Sequence, residues 1–141
     1  MKIKLEPPSQ LTDPRYGVHK YTKVNNIMMH YVQSGDPSKP LMVFVHGFPE
    51  FWYSWRHQIL EFKKDYCCVA VDMRGYADSE KPEGVSSYHI DLLVEDIRAL
   101  VRHLGREKFT LVSHDWGGLI SCRYHEVYPE TLDAIVVLAS L

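Results

Sequence analysis

The chain has 141 residues, 45% of them hydrophobic and 24% charged, the proportions of one globular domain rather than of a disordered tail or a fibre. Sixteen Lys and Arg against eighteen Asp and Glu leave a formal charge of −2. No net basic character is available to hold phosphate backbones, which argues against nucleic acid as a partner.

Taken in chain order, residues 1–16, with Pro7, Pro8 and Pro14, read as an extended arm, and residues 17–141 as one folded unit. Val18–Val24 and Ile27–Gln33 flank Asn25-Asn26, a pair that tolerates positive φ, which predicts a hairpin. Period-two alternation puts Ile27, Met29 and Tyr31 on one face and His30 on the other. Leu41–Val45 is a continuous apolar run, the mark of a strand covered on both sides. Trp52, Trp55, Ile59 and Phe62 recur at helical spacing and predict a helix over Phe51–Lys63. The run Tyr66–Val71 predicts another strand, and Asp72–Ser87 a loop. Leu93, Ile97, Leu100, Val101 and Leu104 mark an amphipathic helix capped by Ser86 or Ser87 and ended by Gly105. Phe109–Ser113 predicts a strand, followed by a helix to Tyr128 and a last apolar run, Ala134–Leu138. A hairpin followed by β-α-β-α-β-α-β builds a mostly parallel α/β sheet with helices on both faces. Ligands bind such sheets at the carboxyl ends of the strands, here after Val45, Val71, Ser113 or Leu138.

Cys67, Cys68 and Cys122 are too few and too unevenly placed for a disulfide framework, and read as buried free thiols. None of the eight histidines shows metal-ligand spacing with another ligand, so neither a metal nor a cofactor is expected. His19, His30, His57, His89, His103 and His125 read as surface or half-buried, and Asp72 and Arg74 as a structural ion pair or loop anchor. No apolar run is long enough to cross a bilayer, and Met1–Gln10 lacks the apolar core of a signal peptide. These features favour a soluble cytoplasmic chain and leave peripheral membrane association open.

Ser113-His114-Asp115-Trp116-Gly117-Gly118 directly follows a predicted buried strand and opens a helix. This is the nucleophile-elbow pattern with aspartate in place of serine. The chain reverses so sharply at the central residue that the residues two before and two after nearly touch; Ser113 and Gly117 are small enough. A carboxylate with a reference pKa of about 3.9 is already ionised at neutral pH. It suits displacement at an activated saturated carbon, giving an alkyl ester that water then cleaves. His46-Gly47-Phe48-Pro49 ends the first buried strand: Gly47 permits close approach, Pro49 fixes direction, and His46 orders its own loop. The amides of Phe48 and Trp116 are placed to face an oxyanion on Asp115, with His114 a structural residue beneath the elbow. Trp52, nearest the loop, is a candidate pocket wall.

From about Asp13 to Leu138 the chain resembles the N-terminal half of α/β-hydrolase-fold epoxide hydrolases. The resemblance rests on His46-Gly47-Phe48-Pro49-Glu50-Phe51-Trp52-Tyr53-Ser54-Trp55-Arg56, on Asp72-Met73-Arg74-Gly75-Tyr76, and on His114-Asp115-Trp116-Gly117-Gly118. It departs from the family where Ser113 and Ala77 replace the usual glycines. The resemblance implies a small-molecule epoxide substrate, Asp115 as nucleophile, and Phe48 and Trp116 as oxyanion-hole amides. Related dehalogenases place Asn at the Phe48 position or Arg at the Trp116 position; having neither, the chain is expected on the epoxide side, with a dehalogenase as the alternative.

The family's acid, base and lid follow the nucleophile in chain order, but only 26 residues follow Asp115. His125, ten residues along the same helix, is roughly 15 Å away by helical rise and is no base. Residues 17–141 are therefore expected to be the N-terminal part of an α/β-hydrolase domain, incompetent for turnover alone, or else a non-catalytic interaction module. Ala134–Leu138 would then form an apolar sheet edge open to self-association.

Overall fold

A computed structural model describes residues 6–140. Its strands are β1 Val18–Val24, β2 Ile27–Ser34, β3 Leu41–Val45, β4 Cys67–Val71, β5 Phe109–His114 and β6 Leu132–Leu138. The helices are α1 Arg56–Phe62, α2 Ile90–His103 and α3 Trp116–Val127. One sheet results, in the order β1-β2-β4-β3-β5-β6. β2 is antiparallel to both of its neighbours, while β4, β3, β5 and β6 run parallel, as the alternating pattern predicts.

Every residue of β3 and β4 is buried, which is why both read as unbroken apolar runs. Their side chains alternate between two cores. Val43, Val45, Val69 and Val71 pack with Ile97, Leu100 and Val101 of α2 and Tyr124 of α3; Met42, Phe44, Cys68 and Ala70 pack with Trp52, Trp55 and Ile59. Each of the large aliphatic side chains is worth about 1.5–3 kcal/mol relative to exposure. The hairpin turn has both asparagines at positive φ (47° and 63°), the geometry a two-residue connection needs.

From β3 the chain crosses to β4 on one side, and then past β3 again to β5 on the other. Winding direction thus reverses between β3 and β5. At that reversal Val45 pairs with Ser113, so the segments starting at His46 and His114 leave the sheet side by side.

Several expectations are corrected. Ser9–Thr12 and Pro14–Tyr16 form 3-10 turns rather than an extended arm, the second one capped by Asp13 accepting from the Arg15 N–H at 2.9 Å; residues 1–5 of the arm lie outside the described residues. The helix expected over Phe51–Lys63 is a 3-10 turn, Trp52–Trp55, leading into α1. Neither Ser86 nor Ser87 caps α2: both lie in a separate 3-10 turn, and the His89 side chain accepts from the Asp91 N–H. Gly105 does end α2, at φ 72°. Cys67 and Cys68 are buried free thiols, Cys68 pushed up to about 12 by burial, whereas Cys122 is exposed on the outer face of α3. Asp72 and Arg74 do not pair with each other. Arg74 forms a two-pronged ion pair with Asp96 of α2, both bonds 2.6 Å, and Asp72 bonds His30 at 2.7 Å. His30, far from half-buried, is fully enclosed.

β6 stands at one edge of the sheet with Val136, Val137 and Leu138 about two-fifths exposed. Val137 leans toward α3, where it meets the position of Gly118, while Val136 lies on the other face of the sheet. The 141-residue chain is expected to associate through this edge, and Val136→Lys should raise the monomer fraction in light scattering. An unchanged mass distribution would contradict that expectation.

Candidate active site

Asp115 sits between β5 and α3 with φ 55° and ψ −125°, a backbone that side-chain-bearing residues seldom adopt. The main chain there is tied down from two sides. The Asp115 N–H donates to the Leu138 carbonyl at 3.2 Å, and the Asp115 carbonyl accepts from Gly118 N–H and from Ser140 Oγ. Its side chain makes no capping bond to α3 and instead accepts from the Phe48 N–H at 3.0 Å through Oδ2.

Small residues make this approach possible. A Cβ on Gly47 would lie 2.4 Å from the Asp115 Cβ and 2.6 Å from Oδ2. One on Gly117 would lie 2.4 Å from the Val45 carbonyl oxygen, and one on Gly118 would lie 2.3 Å from Ser140 Oγ. Ser113 is buried, with its hydroxyl donating to the Val136 carbonyl at 3.3 Å, so the side chain that replaces the usual glycine is accommodated. Ala77 adopts φ 42°, a conformation that explains why glycine is the commoner residue there. Gly47→Ala is expected to push the loop off Asp115, and loss of the Phe48 amide signal's carboxylate-bonded position in an NMR spectrum would register it. A spectrum matching the parent would contradict the contact.

The Asp115 carboxyl is held below its ordinary 3.8, first by the Phe48 N–H, then by the Trp116 N–H, with a smaller push from His114. Of the two amides, Phe48 makes the well-aligned bond. The aromatic side chains of Phe48 and Trp116 point outward, 61% and 57% exposed, so these two residues meet Asp115 through the main chain.

His46 is buried and braces the loop as a neutral ring. Its Nδ1–H donates to the Gly47 carbonyl at 2.9 Å, and its Nε2 accepts from the Met73 N–H at 3.0 Å. Burial pushes its pKa down, consistent with that tautomer. The Phe48–Pro49 peptide bond is cis. His114 donates from Nδ1 to Glu50 Oε1 at 2.8 Å, so both histidines flanking the elbow are already engaged.

Trp52 does not join this cluster. It is 2% exposed, packed against Tyr16, His19, Phe51 and Tyr53, and its N–H donates to Asp72 Oδ1 at 2.9 Å. A cavity beside the elbow, about 240 Å³, is walled by His46, Tyr76, Tyr88, Leu93, Trp116 and Leu119. Tyr76 stacks edge-on to His46 with ring centroids 4.7 Å apart, and its hydroxyl is pushed up by burial and by the Asp115 charge. Sequence reasoning passed over Tyr76, Glu50 and Ser140. Glu50 and Tyr76 stand within the motifs quoted above, which was a usable signal; Ser140 gave none.

A sharp strand-to-helix reversal at the switch point of a mostly parallel sheet, with a neighbouring amide aimed at the central side chain, defines an α/β hydrolase. A family model described as alpha/beta hydrolase fold matches residues 40–141, and the chain belongs to that family. It is 46% identical over 134 residues to epoxide hydrolase 4 of Mus musculus, covering 94% of this chain and 37% of that protein. It is 50% identical over 117 residues to epoxide hydrolase 1 of Caenorhabditis elegans, covering 83% and 29%. A crystal structure of a mutant epoxide hydrolase from Bacillus megaterium superposes with a TM-score of 0.83 at 46% identity, over 86% of this chain and 42% of that one. Another mutant of it was solved with its product, a naphthyloxy-propane diol. The chain thus spans well under half the length of these relatives. Among the described residues no helix is long and apolar enough to cross a membrane.

Proposed function

We propose that residues 17–141 are the N-terminal part of an α/β-hydrolase domain and carry the nucleophile and oxyanion donors of an epoxide hydrolase. The observation that supports this most is the Asp115 carboxylate held at the elbow by the Phe48 N–H at 3.0 Å. That bond occupies Oδ2 and leaves Oδ1 as the attacking oxygen. Oδ1 adds to a carbon of the oxirane, and the strained C–O bond to that carbon breaks. The ring oxygen, still bonded to the other carbon, keeps the electron pair and takes a proton from solvent. Asp115 becomes an alkyl ester.

Hydrolysis of that ester needs a base to take a proton from water, a part that residues 17–141 are not proposed to supply. Once a base does so, the water oxygen adds to the ester carbonyl carbon and negative charge develops on Oδ2, where the Phe48 N–H already lies and the Trp116 N–H stands second. Donors placed in advance at the atom that becomes an oxyanion stabilise the transition state without reorganisation. Collapse expels the diol oxygen and restores the carboxylate.

The same amides that would hold the oxyanion favour ionised Asp115 in the resting state. A folded-state pKa depressed below the unfolded value means the carboxylate persists as pH falls past 3.8; the stability it lends is full above the unfolded value and declines as pH falls from there to the lower folded value. Titration of the Asp115 carboxyl carbon should give a midpoint below 3.8; a midpoint at or above it would contradict the two-amide cradle.

Incubation with a reactive terminal epoxide tests the function. The expected product is protein heavier by the whole epoxide, because addition loses no atom. A haloalkane treated in parallel would add its alkyl group with loss of halide; reaction with it alone would move the reading to a dehalogenase.

A further inference from the structure

Asp72, buried at the end of β4, receives bonds on both carboxylate oxygens. Oδ1 accepts from Trp52 N–H at 2.9 Å; Oδ2 meets His30 Nδ1 at 2.7 Å and accepts weakly from Asp78 N–H at 3.3 Å. His30 Nε2 lies 2.8 Å from His19 Nδ1, and His19 Nε2 lies 2.7 Å from the Leu11 carbonyl oxygen. Each of these three short contacts needs one hydrogen. The carbonyl of Leu11 only accepts, so His19 Nε2 carries one. Asp72 accepts from main-chain N–H groups on both oxygens, as a carboxylate does, so His30 Nδ1 carries another. The hydrogen between the rings is the third.

Two neutral imidazoles hold two hydrogens between them. We infer that His19 and His30 share a third, forming a single cation that is fully enclosed at His30 and half-buried at His19 and is balanced by Asp72, and that this unit is a positioning clamp on the loop that carries the Phe48 amide. Around the two rings, the Tyr21 ring lies 4.9 Å from the His30 ring and the Trp52 ring 5.2 Å from the His19 ring, and Asp78 adds a second carboxylate beside His30 and Asp72. His30, Asp72 and Asp78 present ligand atoms within 4.8 Å of one another, but the hydrogen count already satisfies His30 and Asp72.

The link to the site is short. Asp72 holds Trp52 N–H, at the far end of the loop, while the next residue, Met73, donates to His46 Nε2 at the near end. One turn therefore grips residues 46–52 at both ends, and Phe48 lies between. The inference rests on the Asp115 reading only for its catalytic meaning; the clamp stands or falls on its own geometry.

Imidazole 15N and 1H NMR of the folded chain at neutral pH should show three ring hydrogens across His19 and His30. Two would overturn the inference, as would their displacement by added Zn²⁺. His30→Leu should speed hydrogen exchange at the Phe48 and Trp52 amides by about tenfold or more. If that variant fails to fold, His19→Leu provides the comparison. His19→Asn, whose Oδ1 can accept from His30 Nε2, should restore much of the protection, a rescue that bulk packing would not give. Unchanged exchange in a folded leucine variant would overturn the clamp. Three hydrogens and intact exchange in a chain that forms no epoxide adduct would refute the catalytic proposal alone.

Discussion

Asp115→Asn should abolish the epoxide adduct, lowering its rate of formation by on the order of 10³-fold or more. The substitution is nearly isosteric, and asparagine tolerates positive φ better than most residues, so the elbow at φ 55° should persist. What disappears is the anion. The amide oxygen is a feeble nucleophile toward carbon, while the Phe48 N–H retains an acceptor to bond. Circular dichroism and the unfolding midpoint should therefore stay near the parent's while reactivity falls to background. Full reactivity in Asp115→Asn would remove the aspartate from the chemistry.

Asp96→Ala should produce the largest loss of stability, about 3–5 kcal/mol in urea unfolding. Arg74 is 4% exposed and Asp96 fully buried, and they meet in a two-pronged bond with Asn25 Nδ2 donating to the same carboxylate at 2.9 Å. The pairing holds the Arg74 guanidinium above its usual range. Removing the carboxylate leaves that cation enclosed without a counter-charge. The double variant Arg74→Met with Asp96→Leu removes both charges and should recover most of the loss. Equal destabilisation in single and double variants would show that packing, not the stranded charge, sets the cost.

The legible parts of the fold were those fixed by neighbours in sequence. Leu41–Val45 and the run ending at Val71 announced fully covered strands because each residue of such a strand is apolar whichever face it takes. Asn25-Asn26 announced the hairpin because the turn itself needs positive φ. The meeting of Asp115 with Phe48 was readable because both follow strands that a β-α-β order brings together.

What escaped depended on long-range partners. His30, on the face opposite Ile27, Met29 and Tyr31, read as surface or half-buried. In the structure β2 has a strand on each side, and the second face is closed by Asp72, 42 positions away. Asp72 and Arg74 read as an ion pair or as loop anchors; they are not each other's partners, since positions two apart in the loop send one to β2 and one to α2, but each does hold loop main chain, at Asp78 and Ser87. Trp52 was a candidate pocket wall for its nearness to the loop, and helical spacing pointed to the core; its 3-10 turn buries the indole away from the elbow, where it lines a separate cavity with Leu11, His19 and Tyr21. Cys122 was assigned to packing from a helix whose amphipathicity is weak, and it faces out.

That exposed thiol sets the terms of the most direct test. After exposure to a terminal epoxide, the protein is digested and the adduct located by tandem mass spectrometry, in the parent and in Cys122→Ser. The account predicts a single ester on Asp115 in both. An adduct on Cys122 or on a histidine, with Asp115 unmodified, would contradict it.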